Sequence, residues 1–388
     1  MCKKSLVVQV IGLILVLGTS APSIAEEEGL EYGFKAALPE MHVFITNQFY
    51  NYGKAEFGTC ANMGDSKLAG HSVFIPMSGY IDISSQLKPD LKAEAEFELY
   101  RAESVKICKL RGVWSPEEWF ILSMGRDFVP IGTQDKSYYP PSRFRMFTVA
   151  PYLYRNVMRS SGWWDTGIFI SGKRQLTKQV ALLYNISATN GPGDSHQTFK
   201  LEDKIGTNSA GYMYEHFHTD ARQYLDNNGD KPICVRLALS PIEGLEFGGS
   251  YFKAKYDKNE RYGCDYTFYH LLYGSDKLDV ACEYGRIGLE TKNPGLDKKI
   301  HQSSAYIAAS YKILQEKYVH FLAPAIRYEV IDPWEEDTTN KGDRKSISIG
   351  VNISPVEHFL IRAAYQHTTE KGDELKNDGV SLETVFDF

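Results

Sequence analysis

The chain has 388 residues, of which 43% are hydrophobic, 24% charged and 13% aromatic, and its formal net charge is −6. This content of apolar and aromatic residues excludes a disordered chain, and the charged fraction excludes a bundle of membrane helices. After residue 25, no apolar run approaches the about 18–20 residues that a spanning helix needs. The 25 Tyr and 32 Gly indicate many short strands and tight turns.

The first 25 residues have the pattern of a secretory signal peptide. Lys3 and Lys4 precede an apolar stretch from Leu6 to Leu17, and Ser23-Ile24-Ala25 places small residues before a cleavage point. A membrane anchor is the alternative, but the apolar stretch is short for a span. Export predicts that the mature chain folds in an oxidising compartment.

Cleavage after Ala25 would leave five cysteines, an odd number that cannot all pair within one chain. They are widely spaced without a CxxC pair, so a zinc site is not predicted. Unpaired thiols or a single disulfide are both compatible with this spacing among Cys60, Cys108, Cys234, Cys264 and Cys282.

Period-two alternation is the main structural signal. From Val380 to Phe388 mostly apolar residues occupy every second position, and the run at 346–353 repeats the pattern. Three Ser-Pro-x-Glu segments, beginning at Ser115, Ser240 and Ser354, each join two strand-like runs. Because proline presets φ for the second position of a turn, we predict a hairpin turn at each segment.

Walking along the chain gives about sixteen candidate strands, most of them near the 9–11 residues with which a tilted strand crosses a bilayer. Short and long connections alternate between them. A last strand that ends in Phe388 resembles the assembly signal of bacterial outer-membrane β-barrels. We therefore predict an all-β fold, a transmembrane antiparallel barrel of about sixteen strands at 41–388, with a signal peptide at 1–25 and a short periplasmic segment at 26–40.

The third long connection runs from Pro130 to Trp164, and connections of this length inside a compact domain are usually functional. In general porins the third outer loop folds into the lumen, and the resemblance implies the same here. The loop carries five basic residues against Asp135 alone, whereas the whole chain is acidic. A basic ring favours anions. The predicted constriction residues are Lys136, Arg143, Arg145, Arg155 and Arg159.

Charged residues on the more polar face of several strands are predicted to line the lumen wall. Carboxylates opposite arginines would produce a transverse field that orients dipolar solutes. The simpler interpretation is that these charges only solvate a wide wall. The candidates are Glu94, Glu96, Glu98, Lys109, Arg111, Arg236, Arg327 and Arg362.

The middle of the chain resembles the phosphate-selective porins O and P. The resemblance rests on the segment from Gly125 to Gly132, on Asn190-Gly191 after a later strand, and on Arg236 before Pro241. It implies a sixteen-stranded, trimeric channel that prefers anions such as phosphate. Two departures are that Arg126 stands where the family usually has Gln, and that the loop has one Lys and four Arg instead of a lysine cluster.

The function that we predict is passive diffusion of small hydrophilic solutes through the bacterial outer membrane, with an anion preference for phosphate-like or carboxylate solutes. No enzyme activity, cofactor or metal is predicted, since no G-x-S-x-G or H-E-x-x-H motif occurs. The predicted partners are outer-membrane lipid, lipopolysaccharide and two further copies of the chain, not nucleic acid, and both termini would be periplasmic. The alternatives are a structural or adhesin-type barrel with a blocked lumen, a barrel enzyme and a secreted soluble β protein.

Overall fold

A computed structural model describes residues 39–52, 72–100, 104–157, 162–192, 229–256, 259–290, 299–315, 319–332, 335–336, 343–371 and 378–388. Most of these residues lie in one antiparallel sheet. Its strands are β1 (Glu40–Tyr52), β2 (Ser72–Lys88), β3 (Leu91–Tyr100), β4 (Ser104–Glu117), β5 (Phe120–Phe128), β6 (Trp164–Gln175), β7 (Ala181–Thr189), β8 (Ile233–Ile242), β9 (Leu245–Lys255), β10 (Gly263–Gly274), β11 (Leu278–Glu290), β12 (Lys299–Tyr311), β13 (Ile313–Gln315), β14 (Val319–Asp332), β15 (Arg344–Val356), β16 (Phe359–Glu370) and β17 (Gly379–Asp387).

The sheet closes on itself as a sixteen-stranded barrel. Only Lys312 separates β12 from β13, and both segments pair with β14. The two segments therefore occupy one strand position of the barrel, and each such position is called a stave below. Each stave pairs with the next along the chain, and β1 pairs with β17 from Phe44 opposite Asp387 to Tyr52 opposite Gly379. Closure leaves no unpaired sheet edge. The sixteen-stranded antiparallel barrel predicted from the sequence is confirmed.

The outer surface of the barrel is apolar. Alternate residues on its strands are exposed and hydrophobic, among them Leu110, Tyr269, Ile307 and Ile349. Their neighbours along each strand point inward, as the two-residue side-chain period of a strand requires. A membrane barrel has this arrangement, because its outer face contacts hydrocarbon.

The inner surface differs from the polar wall that simple alternation predicts. On β10 and β11 the inward side chains include Tyr266, Phe268 and Ile287, all of them buried. These apolar residues do not face water, because the segment between β5 and β6 lies inside the barrel and packs against them.

The three Ser-Pro-x-Glu segments take a different form from the predicted turn. In each, the Ser-Pro pair is the last part of a strand, where the register shifts: after Trp114 in β4, after Leu239 in β8 and after Ile353 in β15. Proline has no N–H for the ladder, so a strand accommodates it at such an irregularity. Each strand continues for one residue after the proline, and the next two residues make the reversal, with positive φ at Gly244 and His358 in two of the three hairpins.

Four of the five cysteines of the predicted mature chain fall in the described ranges. Cys108, Cys234, Cys264 and Cys282 are free thiols, so no disulfide joins any two of them. Cys60, Arg159 and the predicted signal peptide at 1–25 lie outside the described residues. In the part of the chain that the structure describes, no helix has the length and hydrophobicity to cross a membrane.

Candidate functional site

The described residues of the connection between β5 and β6, 129–157 and 162–163, lie inside the barrel and are called the inward loop below. Its two ends meet at a neck, where Val129 N donates to Trp163 O at 2.9 Å. A four-residue helix, α1 (Gln134–Ser137), and a π-helical turn at Leu153–Val157 are its regular elements. The predicted inward folding of the third loop is therefore confirmed.

A tight turn fixes the first part of the inward loop to the wall. Gly132 has a φ of +58°, the left-handed region that favours glycine, and a Cβ there would lie 2.8 Å from Tyr154 Oη. Its N–H donates to Ser250 Oγ on β9 at 2.9 Å, and the next N–H, of Thr133, donates to Glu283 Oε1 on β11 at 2.9 Å. A side chain at position 132 would strain the backbone and break this attachment.

Apolar packing holds the inward loop against β8–β14. The indole of Trp163 is buried, with its ring centre 4.9 Å from that of Phe252 and 5.5 Å from that of Tyr266. Leu153, fully buried, lies against Gly285, where a Cβ would come within 2.5 Å of its Cδ1. Burial of one such leucine contributes about 1.5–3 kcal/mol. This half of the lumen is therefore filled with protein.

Four of the five basic residues predicted for the constriction are described, and each pairs with a carboxylate of the wall. The acceptors belong to four staves spread around the barrel, so the loop is attached on several sides. The pairs are Lys136 with Glu246, Arg143 with Asp279 (Nε to Oδ1, 2.6 Å), Arg145 with Glu383 (2.8 Å) and Arg155 with Glu329 (3.4 Å).

The one acidic residue of the loop makes the converse pair. Asp135 accepts from Arg236 on β8, with Nη1 to Oδ1 at 2.7 Å and Nη2 to Oδ2 at 3.1 Å. Burial opposes ionisation of Asp135, but the guanidinium outweighs it and keeps the pKa of that carboxyl below its usual range. The loop charge is thus balanced locally by the wall.

Three of the predicted wall arginines point inward and are covered by the loop. Arg236 donates to Gly132 O at 2.9 Å, Arg327 to Val149 O at 2.7 Å, and Arg362 to Pro140 O at 2.5 Å. All three are buried. They satisfy carbonyl oxygens of a segment without sheet partners, and buried peptide groups need such partners.

The remaining wall candidates form a charged ladder on β3 and β4. A β-bulge at Cys108 makes Lys109 pair with Glu96 while Ile107 pairs with Phe97. An extra residue at a bulge changes which side chains point inward, so Lys106 and Lys109 can both face the lumen. The contacts within the ladder are Lys106 with Glu98 at 3.3 Å, Lys109 with Glu96 at 2.8 Å, and Arg111 with Glu94 (Nε to Oε2, 2.6 Å) and with Asp127.

In the ladder the bases are more accessible than the acids. The exposed fraction of the side chain is 37% for Lys92, 16% for Lys109 and 21% for Arg111, against 12% for Glu94 and 1% for Glu96. Tyr139 of the inward loop covers Glu96, to which its hydroxyl donates at 2.6 Å. A solute would therefore meet ammonium and guanidinium groups first.

A cavity of about 350 Å³ lies beside the inward loop, against the inner face of β3–β7. It runs from Lys92 and Ser115, near the short turns, to Asp135 and Tyr139 of the loop. Polar and apolar side chains both line it. The lumen is therefore divided, with protein on the side of β8–β17 and a cavity on the side of β3–β7.

Known structures resemble this architecture, although no family model and no curated protein match the sequence. An anion-selective porin from Comamonas acidovorans superposes with a TM-score of 0.59 at 13% identity, over 91% of this chain and 100% of the other. The chain has the fold of a porin. Two further similar structures are OmpF of Salmonella typhi in complex with daunomycin (TM-score 0.57, 11% identity, 90% and 97% covered) and the loop L8 deletion mutant of OmpT, an outer membrane protein of Vibrio cholerae (0.56, 9%, 90% and 99%).

Sequence reasoning did not find the acceptors that hold the inward loop in this porin fold. Glu246, Asp279, Glu329 and Glu383 were not among the candidates, although each lies on a strand with its side chain inside the barrel. Their positions in the two-residue alternation of the strands could have indicated that they point inward. Glu329 shares a face of β14 with Arg327, and Glu383 shares a face of β17 with Ser381. Carboxylates on inward positions of separate strands are the partners that a basic inward loop needs.

Proposed function

We propose that the protein is an outer-membrane diffusion channel for small hydrophilic solutes, and that it is not an enzyme. The observation that carries the proposal is the cavity along β3–β7, which the inward loop leaves inside a closed sixteen-stranded barrel. Barrels of sixteen strands have an interior wide enough for an aqueous channel. Among the described residues no group of three or more His, Cys, Asp or Glu could hold a metal ion.

The proposed setting is the bacterial outer membrane, with lipid and lipopolysaccharide around the barrel. The exposed apolar surface supports a lipid environment. Residues 1–25 would direct export, residues 26–40 would lie in the periplasm, and both termini would be periplasmic. In support, β1 begins and β17 ends at the barrel end that has the short turns. The homotrimer and the relationship to the phosphate-selective porins stay predictions.

We further propose an anion preference, and we assign it mainly to the ladder on β3 and β4. The support is the greater exposure of Lys92, Lys109 and Arg111 relative to their carboxylate partners. One of the proteins with a similar fold is an anion-selective porin. The loop cations Lys136, Arg143, Arg145 and Arg155 do not line the cavity, whereas Lys92, Lys109 and Arg111 do, so we expect the loop cations to contribute less to selectivity.

A structural barrel with a blocked lumen is the second candidate. The observation that favours it is the extent of loop attachment, with apolar packing against β8–β14 and ion pairs to β8, β9, β11, β14 and β17. Such a barrel could serve as an adhesin or as a scaffold in the membrane.

Planar-bilayer recording of the purified protein separates the two candidates. A channel gives stable ohmic current steps in KCl, and in a KCl gradient the reversal potential has the sign of the more permeant ion. We expect steady conductance and a reversal potential that shows chloride preference. The absence of steady current from correctly folded protein, verified by heat-modifiable migration on a gel, would support the blocked barrel.

A further inference from the structure

Two neighbouring rows of side chains that line the cavity differ in character, one basic and one mainly apolar. The register from β4 through β5 to β6 aligns Arg111 with Gly125 and Gly167, and it aligns Val113 with Ser123 and Phe169. The first of these is the basic row and the second is the apolar row. Since they are two residues apart on each strand, they lie about 6–7 Å apart along the strands.

On the side of β5 and β6, the guanidinium of Arg111 pairs with Asp127 but meets no side chain at the two positions in register with it. The two positions in register with Arg111 are glycines, so no side chain from Gly125 or Gly167 covers the guanidinium. Lys109 lies one step beyond Arg111 on the inner face of β4, and both residues line the cavity. Arginine has five N–H donors and lysine three, so donors are left after the bonds to Glu94, Glu96 and Asp127.

The apolar row offers a surface that an inorganic anion cannot use. Val113 and Phe169 of this row line the cavity and are buried, and so is Phe128, which lies beyond the basic row on β5. Charge also limits the choice of ligand. Lys92, Lys109 and Arg111 are balanced by Glu94, Glu96 and Asp127, so the cluster is neutral in total. A phosphate brings more negative charge than a carboxylate and has no apolar surface to bury.

We propose that the cavity is a binding subsite for monocarboxylates with an apolar body, of which benzoate is the simplest aromatic example. The carboxylate accepts hydrogen bonds from Arg111 and Lys109, and the ring lies against Val113 and Phe169. The spacing of the two rows fits a molecule whose carboxylate and ring are directly bonded. This proposal rests on the proposed channel function, because it names the solute class of the same path.

The test compares the effects of three anions on KCl conductance across a planar bilayer: benzoate, acetate and inorganic phosphate. We expect benzoate to reduce the current saturably, at a half-saturating concentration about tenfold below that of acetate. Tenfold corresponds to ~1.4 kcal/mol, which burial of about 55 Å² of ring surface would supply. Phosphate should act no more strongly than acetate.

Two variants separate the halves of the subsite. Val113→Thr keeps the shape of the side chain but adds a hydroxyl, and it should weaken the effect of benzoate several-fold while leaving acetate unchanged. Lys109→Gln should weaken benzoate and acetate together. Lys277→Gln, in the exposed turn between β10 and β11, is the matched control and should change neither.

Each outcome has a defined meaning. Equal half-saturating concentrations for benzoate and acetate, or a stronger effect of phosphate, would overturn the subsite and leave the channel intact. Unchanged benzoate block in Val113→Thr would remove the apolar row from the proposal. The absence of any conductance in the wild-type protein would refute the channel function itself, which is a different failure.

Discussion

Removal of the carboxylate of Glu383 is the most informative single perturbation of the inward loop. Glu383 is fully buried on β17 and accepts from three side chains at 2.8 Å: Arg145 of the loop, Arg362 of β16 and Gln48 of β1. It therefore joins the loop to the wall next to the strand pair that closes the barrel. Glu383→Gln retains the shape and removes the charge.

The expected cost follows from what the variant leaves behind. Arg362 is buried, and both its guanidinium and that of Arg145 pair with Glu383. Without this carboxylate, the two positive charges would lie close together with no negative charge between them. Removing one partner of a buried ion pair typically destabilises a protein by about 3–5 kcal/mol, because the other charge remains desolvated. We expect a loss of that size in the free energy of unfolding, together with a larger and noisier conductance from a loosened loop.

Denaturant unfolding in detergent measures the first quantity and planar-bilayer recording the second. Glu357→Gln is the matched control, because Glu357 is an exposed acid in the turn between β15 and β16. In the double variant Glu383→Gln with Arg145→Gln, part of the stability should return, since the second unpaired charge has also been removed. A loss below about 1 kcal/mol in the single variant would refute the role assigned to this buried cluster.

Three further changes test other parts of the site. Gly132→Ala should strain the loop entry by at least about 1–2 kcal/mol, because its φ is +58°, and trypsin should then cleave within the loop faster than in the wild type. Leu153→Ala should lower the free energy of unfolding by about 2–5 kcal/mol, measured with denaturant, since Leu153 is fully buried; an unchanged value would contradict the packing. Lys109→Gln combined with Arg111→Gln should move the reversal potential in a KCl gradient towards cations, whereas Lys277→Gln should not, and an unmoved potential in the double variant would exclude the ladder as the selectivity element.

Local sequence patterns were sufficient for the barrel but not for its interior. Alternation at Val380–Phe388 and the repeated hairpins predict strands, because a strand with one face in lipid must show period two. The apolar inner faces of β10 and β11 depart from that rule. Their partners, Leu153 and Trp163, lie more than a hundred residues away in the sequence, so no local pattern could indicate the contact.

The ion-pair partners of the loop residues could not be predicted from the sequence for a similar reason. The basic excess of the loop is visible in the sequence, but its meaning depends on which strand faces each side chain. Arg145 meets Glu383 only because closure brings β17 beside β1 and the loop crosses the lumen to reach them. The positions of the hairpins were predicted more accurately. Each Ser-Pro pair lies within two residues of a hairpin reversal, although the pair itself belongs to the strand.

The inward loop fills the lumen unevenly. Stability of the fold and the shape of the cavity therefore depend on partly different sets of inner side chains. Replacements on the inner faces of β8–β17 act on folding, since those side chains contact the loop. On β3–β7 some inner residues also contact the loop: Glu96 bonds to Tyr139, and Phe128 and Trp164 pack against Tyr138. The other cavity-lining positions of this arc could change the proposed solute path at less cost to assembly. Descendants of one such barrel could acquire new nutrients by altering that arc alone.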